Sequence, residues 1–245
     1  MYSFRRFALL LALTLPASQA VLAETSSSSS NPAPQEQTQQ PAATQTQGQV
    51  SVQARIKARR DQRRAQAIHD TYSHLYEAFV GGGYLRFTPG PKLQRLTYYS
   101  WDAALTRYFN ERLGVTVDGR GYYGTAFVGV NPSNVTRPSV SQYDVLAGPT
   151  YRFYLRPKYS IAGRVMGGFA QGNFSSDTNG FGATGLGLYP DGSTYALSAS
   201  VIGEANISPN LSLRLAPEYF ASGFGSTMQN SLGFSYGFVY RFGKQ

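Results

Sequence analysis

The stretch from Ser231 to Phe242 reads Ser-Leu-Gly-Phe-Ser-Tyr-Gly-Phe-Val-Tyr-Arg-Phe, and its two-residue period decides how the rest of the chain folds. Side chains on a strand alternate between faces, so Leu232, Phe234, Tyr236, Phe238, Tyr240 and Phe242 share one face. Ser231, Gly233, Ser235, Gly237, Val239 and Arg241 share the other. The first face is wholly apolar. In a soluble sandwich the opposite face would meet water and carry charged or branched polar residues. Here it is a row of small residues with one arginine, which suits the inside of something narrow. An apolar, aromatic outside and a small or polar inside is the pattern of a barrel whose outer solvent is lipid.

Working backwards, the same alternation recurs in segments of the length that crosses a bilayer at a steep tilt. Strands are predicted at Tyr76 to Phe87, Thr97 to Phe109, Leu113 to Tyr123, Tyr143 to Leu155, Tyr159 to Phe169, Tyr195 to Asn206 and Leu211 to Tyr219. With the last strand the count is even. In the fourth strand, Tyr143, Val145, Ala147, Tyr151 and Phe153 are set against Asp144, Gly148, Thr150, Arg152 and Tyr154. Three glycines, Gly81 to Gly83, blur the facing of the first. Tight connections at 110–112, 156–158 and 207–210 alternate with longer ones at 88–96, 124–142, 172–194 and 221–229. Short turns on one rim and long loops on the other are the layout of a transmembrane barrel, with the short rim and both termini in the periplasm. The fold class is therefore all-β, an eight-stranded antiparallel up-and-down transmembrane β-barrel over residues 75–243.

Two features carry a resemblance to known proteins. Ser235, Gly237, Tyr240 and Phe242 are similar to the C-terminal signal of outer-membrane barrels, which the barrel-assembly machinery of that membrane reads in the family. Here Gly243, Lys244 and Gln245 follow the final aromatic. In size and pattern, Tyr76 to Phe242 resembles the eight-stranded transmembrane domain of outer-membrane protein A and its small relatives. The resemblance implies outer-membrane lipid and the assembly machinery as partners, and is nearly silent on function.

Composition agrees with a barrel. Of 245 residues only 14% are charged, while glycine (26), tyrosine (18) and phenylalanine (15) are abundant, as aromatic girdles on many twisted strands require. There are no cysteines, so neither a disulfide framework nor a lipoprotein anchor is available. The formal charge of +9 sits unevenly: two arginines lie in the leader and six basic residues in 55–64. From Thr71 onward, 14 Lys and Arg stand against 9 Asp and Glu. That distribution does not point to nucleic acid.

Residues 1–23 read as a cleaved secretory leader, with Arg5 and Arg6, an apolar core from Phe7 to Leu15, and Ala20 or Ala23 before the cut, Ala23 being preferred. The core is too short to span a bilayer as a helix. Residues 24–50, rich in Ser, Gln, Thr and Pro, read as a disordered linker. Residues 51–74 read as a basic helical segment. Its Arg55, Lys57, Arg59, Arg60, Arg63 and Arg64 spread around the helix, either simply solvated or resting on anionic lipid headgroups or peptidoglycan. The two histidines, His69 and His74, are five apart, which lets them converge neither on a helix nor on a strand, so no metal site is expected. No cofactor is expected either.

The charged inward positions are Asp102, Asp118, Asp144, Glu204 and Glu218 with Arg120, Arg152, Arg164, Arg214 and Arg241. Eight strands enclose a lumen just wide enough for side chains, and unpaired charges there cost several kcal/mol each. A column of carboxylate–guanidinium pairs is expected, either a structural plug or a narrow ion path. Enzymes on small outer-membrane barrels resemble hydrolases in using a histidine base, yet both histidines precede the strands, so no catalytic set forms at the outer rim. The Gly180–Gly187 run lacks the ending of a phosphate loop and reads as a flexible loop. The sequence thus predicts a non-enzymatic barrel of a Gram-negative-type outer membrane with a structural or surface-presenting role. A low-conductance pore and an adhesin acting through the loops are the alternatives.

Overall fold

The computed structural model of the chain describes residues 43–132 and 134–244, with side chains from residue 51 onward except at 226 and 244. The stretch read as a leader and most of that read as a linker fall outside the described residues. Helix α1 runs Ala43–Tyr72. From Gly48 onward it belongs to the same compact unit as the strands. It begins inside the stretch read as linker, because the Gln and Ala there are good helix formers and a formed helix propagates at little cost per residue. It also stops two residues short of the expected end, and His74 opens the first strand.

Eight strands follow: β1 (His74–Phe87), β2 (Leu96–Tyr108), β3 (Leu113–Thr125), β4 (Ser139–Leu155), β5 (Tyr159–Asn173), β6 (Gly192–Asn206), β7 (Leu211–Ser222) and β8 (Gln229–Lys244). A single-turn helix, α2 (Gly182–Gly185), sits between β5 and β6. Each strand pairs antiparallel with the next, and β1 pairs with β8, so the sheet closes into a barrel without a free edge. Tight turns lock the register at one rim: Asn110 Oδ1 accepts from the backbone of Arg112 (2.9 Å) and Leu113 (2.7 Å).

The predicted facing holds along β8. Leu232, Tyr236, Phe238, Tyr240 and Phe242 are exposed, while Ser231, Ser235, Val239 and Arg241 are buried. Trp101, Leu105, Val117, Val145, Val165, Phe169, Leu197 and Val201 continue the exposed apolar belt around the wall. One residue departs from the pattern. The β4–β5 register shifts between Arg152 and Tyr154, and this bulge turns Tyr154 outward, where the strict alternation placed it inside. The β6–β7 ladder breaks off at Ser200↔Glu218 and resumes at Gly203↔Leu215, across Pro217, which has no N–H to give.

The closing seam explains its glycines. Gly81 pairs with Gly237, and a Cβ on either would run into the backbone of the facing strand and the Phe79 ring. Two glycines let β1 and β8 approach, and the buried Phe79 fills the space they leave inside.

Candidate functional site

The alternation just described turns one side chain in two into the lumen, and there the residues sort into three layers. The lowest lies at the short-turn rim. Glu77 accepts from Arg241 Nε (2.6 Å), from Arg214 Nη2 (3.0 Å) and from Arg152 Nη2. Glu204 accepts from Arg214 Nε (2.9 Å), Arg241 Nη2 (2.6 Å) and Ser160 Oγ (3.1 Å). Two acids therefore hold three arginines, all buried.

Helix α1 ends as the floor of this layer. Tyr72 is fully buried, its hydroxyl donates to Arg156 O (2.9 Å) and accepts from Asn206 Nδ2 (2.7 Å), and its ring lies 5.0 Å from the guanidinium carbons of both Arg152 and Arg241. Tyr108 stacks on Arg152 at 3.6 Å. His69 Nδ1 lies 2.8 Å from Glu111 Oε1 on the β2–β3 turn.

Above it, a row of hydroxyls, Thr106, Thr116 and Thr150, runs across the wall at 2.8 and 2.7 Å. The middle layer has the opposite balance, four acids to two arginines. Arg120 grips Asp118 with two parallel bonds (Nε–Oδ1 2.8 Å, Nη2–Oδ2 2.9 Å) and donates to Glu218 through Nη1. Arg164 Nη1 lies 3.2 Å from Asp118 Oδ2. Among the described residues Asp144 accepts hydrogen bonds from Gln142 Nε2 alone, at 2.9 and 3.1 Å. Asp102 is 3.8 Å from Arg120 Nε, accepts a hydrogen bond from no N–H or hydroxyl group among the described residues, and lies beside the Asp118 carboxyl. The void beside Asp102, Arg120, Glu218 and Ser235 measures about 10 Å³, room for one water at most.

The outer third is not charged at all. Leu85, Phe87, Leu96, Tyr98, Tyr122, Leu146, Met166 and Phe220 from the strands pack with Phe174 and Phe224 from the loops. Phe87 stacks on Tyr98 (5.1 Å) and on Phe174 (6.1 Å), and Phe224 meets Phe174 edge-on at 5.2 Å. Ala183, Leu186, Leu188 and Tyr189 roof this core, and Tyr189 N donates to Pro89 O (2.9 Å) across the mouth. Burial raises the Tyr189 hydroxyl above its ordinary value.

Two expectations therefore change, and one residue is added. The ten charged positions are all inward and buried, but they form two groups of opposite balance rather than one column of pairs. The Gly180–Gly187 stretch, read as a flexible loop, folds inward because Ala183 and Leu186 find an apolar surface to cover. Glu77, the acid that meets three arginines, escaped the sequence because Gly81 to Gly83 hid the phase of β1. Its parity with Phe79, Leu85 and Phe87 was the available signal.

No protein-family model matches the sequence, and a search of curated proteins found no match. Solved structures do match. The outer membrane protein OprG from Pseudomonas aeruginosa aligns over 71% of this chain and 99% of its own, with 10% identity and a TM-score of 0.51. Neisserial surface protein A aligns over 68% and 97%, with 16% identity and a TM-score of 0.47. Ail, the attachment invasion locus protein of Yersinia pestis, aligns over 67% and 97%, with 17% identity and a TM-score of 0.43. The chain has the fold of the small outer-membrane barrels.

On this outer-membrane barrel fold the other candidate residues take the following places. Ser235 and Gly237 face inward on β8, while Tyr240 and Phe242 face outward, with Tyr76 stacked on Phe242 at 5.5 Å. Arg55, Lys57, Arg59, Arg60, Arg63 and Arg64 are all exposed on α1. Among the described residues no group of three His, Cys, Asp or Glu side chains converges on a metal position, and no helix is long and apolar enough to cross a membrane.

Proposed function

We propose that this protein is an integral outer-membrane barrel with a sealed lumen, without enzymatic activity, that contributes to envelope structure and presents its loops outside. The observation that carries the reading is the filled interior: a tyrosine floor, two layers of ion pairs and an aromatic core occupy the barrel from rim to rim. A pore needs a continuous wet path, and a low-dielectric aromatic layer opposes ion passage. Single-channel recording in planar bilayers tests this. Silence across the accessible voltage range is expected; steady openings that vanish in Arg152→Gln would overturn the sealed reading in favour of a small-solute channel.

Loop presentation is supported by Phe127, Val130, Phe181 and Met228, exposed apolar side chains on three separate loops. They are the natural contact points of the adhesin reading. Loss of surface attachment on replacing all four with serine is the outcome it requires.

The basic helix supports contact with an anionic surface on the periplasmic side, wall polymer or lipid. Its six cations are exposed, Asp61 is the acid among them, and its last turn is anchored in the barrel floor. Binding of the full chain to peptidoglycan sacculi or anionic vesicles should weaken with salt. Salt-independent binding, or none, would return α1 to a solvated spacer. Insertion by the barrel-assembly machinery through Ser235, Gly237, Tyr240 and Phe242 is part of the same reading, together with export through a leader cut after Ala23.

A further inference from the structure

We propose that the outward corner of the β1–β2 hairpin seats the phosphate of a lipid headgroup in the outer leaflet, clasped by Arg86 and Arg95 with Lys92 beside them. The proposal rests on the membrane reading above. Arg86 is exposed on the same face of β1 as Val80 and Tyr84, and it lies one outward step beyond Tyr84, about 7 Å further along the strand. It is thus in the lipid-facing row, just above an aromatic position, where the side chain must reach the headgroup level. Thr97 is its cross-strand partner and accepts from Arg86 Nη1 at 3.0 Å. Arg95 comes two residues before Thr97, exposed and with the same parity as Tyr99 and Trp101.

The register that pairs Arg86 with Thr97 and Phe87 with Leu96 puts Arg95, one residue before β2 begins, diagonal to Arg86, and like charges so placed repel. Arg86, Lys92 and Arg95 take part in none of the ion pairs found among the described residues. The acids on the outer loops do not serve them: Asp191 is occupied by the backbone of Phe174 (2.6 Å) and Ser175 (3.0 Å), and Asp177 lies on the β5–β6 loop. The hairpin is held, too, by Leu93 N donating to Gly90 O (3.2 Å) and by the Tyr189–Pro89 bond. A phosphate offers the acceptor oxygens that paired guanidinium forks match. The lipid-facing position of Arg86 favours a headgroup over a soluble polyanion, which would meet the loops first.

The test uses the full chain in maltoside micelles, which carry no phosphate, titrated with labelled phosphorylated lipid A and with its phosphate-free form. The phosphorylated form should bind, and Arg86→Gln with Arg95→Gln should weaken it about tenfold or more. Arg137→Gln and Lys158→Gln, exposed cations elsewhere, should leave binding unchanged. Heat-modifiable migration of every variant reports that the barrel is intact, so failure here is distinct from failure of the barrel reading. Equal binding of the phosphate-free form, or an undiminished double variant, overturns the proposal. So does a soluble sulfated glycan held by the same arginines more tightly than the lipid.

Discussion

Glu77 and Asp102 are both buried acids in one lumen, yet their surroundings give them opposite weights. Glu77 meets Arg152, Arg214 and Arg241, so removing its charge leaves Arg152 without an acid and Arg214 and Arg241 sharing Glu204, and breaking such a buried set costs about 3–5 kcal/mol. Glu77→Gln should lower the unfolding free energy of the barrel, measured by urea titration in lipid vesicles, by an amount of that order. Asp102 accepts no hydrogen bond, has Arg120 no nearer than 3.8 Å and lies beside the Asp118 carboxyl, and a buried charge so weakly compensated is a burden on the fold. Asp102→Asn should therefore be neutral or stabilising in the same assay. Equal destabilisation by both would show that the two layers are not organised as described.

At the scale of elements, the β1–β8 seam and the end of α1 carry the weight. Gly237→Val places a branched side chain where even a Cβ meets the backbone of Val80 and Gly81, so the barrel should fail to close, and the heat-modifiable band should be absent. Tyr72→Ala removes the ring under Arg152 and Arg241 and the hydroxyl that joins Arg156 to Asn206. The barrel should still form, while α1 becomes rapidly cleaved by protease and exchange speeds up in the β4–β5 and β6–β7 turns. Unchanged protection of α1 would mean that it is held by something other than its floor contact.

The elements themselves were legible because a barrel with an apolar outer wall and a polar lumen writes a two-residue period into every strand, strongest where Phe238, Tyr240 and Phe242 alternate with Gly237, Val239 and Arg241. Periodicity assigns a face, but not a height or a partner. That is why inward charges could be collected from the sequence while their division into two layers could not. It also hid the seam: Gly81 and Gly83 erase the alternation because β8 passes too close for side chains, and Gly82 because the Ser100 backbone of β2 does. The roof lay in a loop with no period at all, where Ala183, Leu186 and Leu188 are buried by tertiary packing alone.

For the molecule as a whole, the central claim is that hydrocarbon wets the outward row. Trp101 is the one tryptophan in the chain, sits in that row, is 47% exposed and lies over Gly121 of the neighbouring strand. Its fluorescence, measured in bilayers whose acyl chains carry bromine, reports directly on what touches the wall. Blue-shifted emission, strongly quenched by the brominated chains and little affected by aqueous iodide, is the predicted result; emission untouched by bromine and quenched by iodide would contradict it.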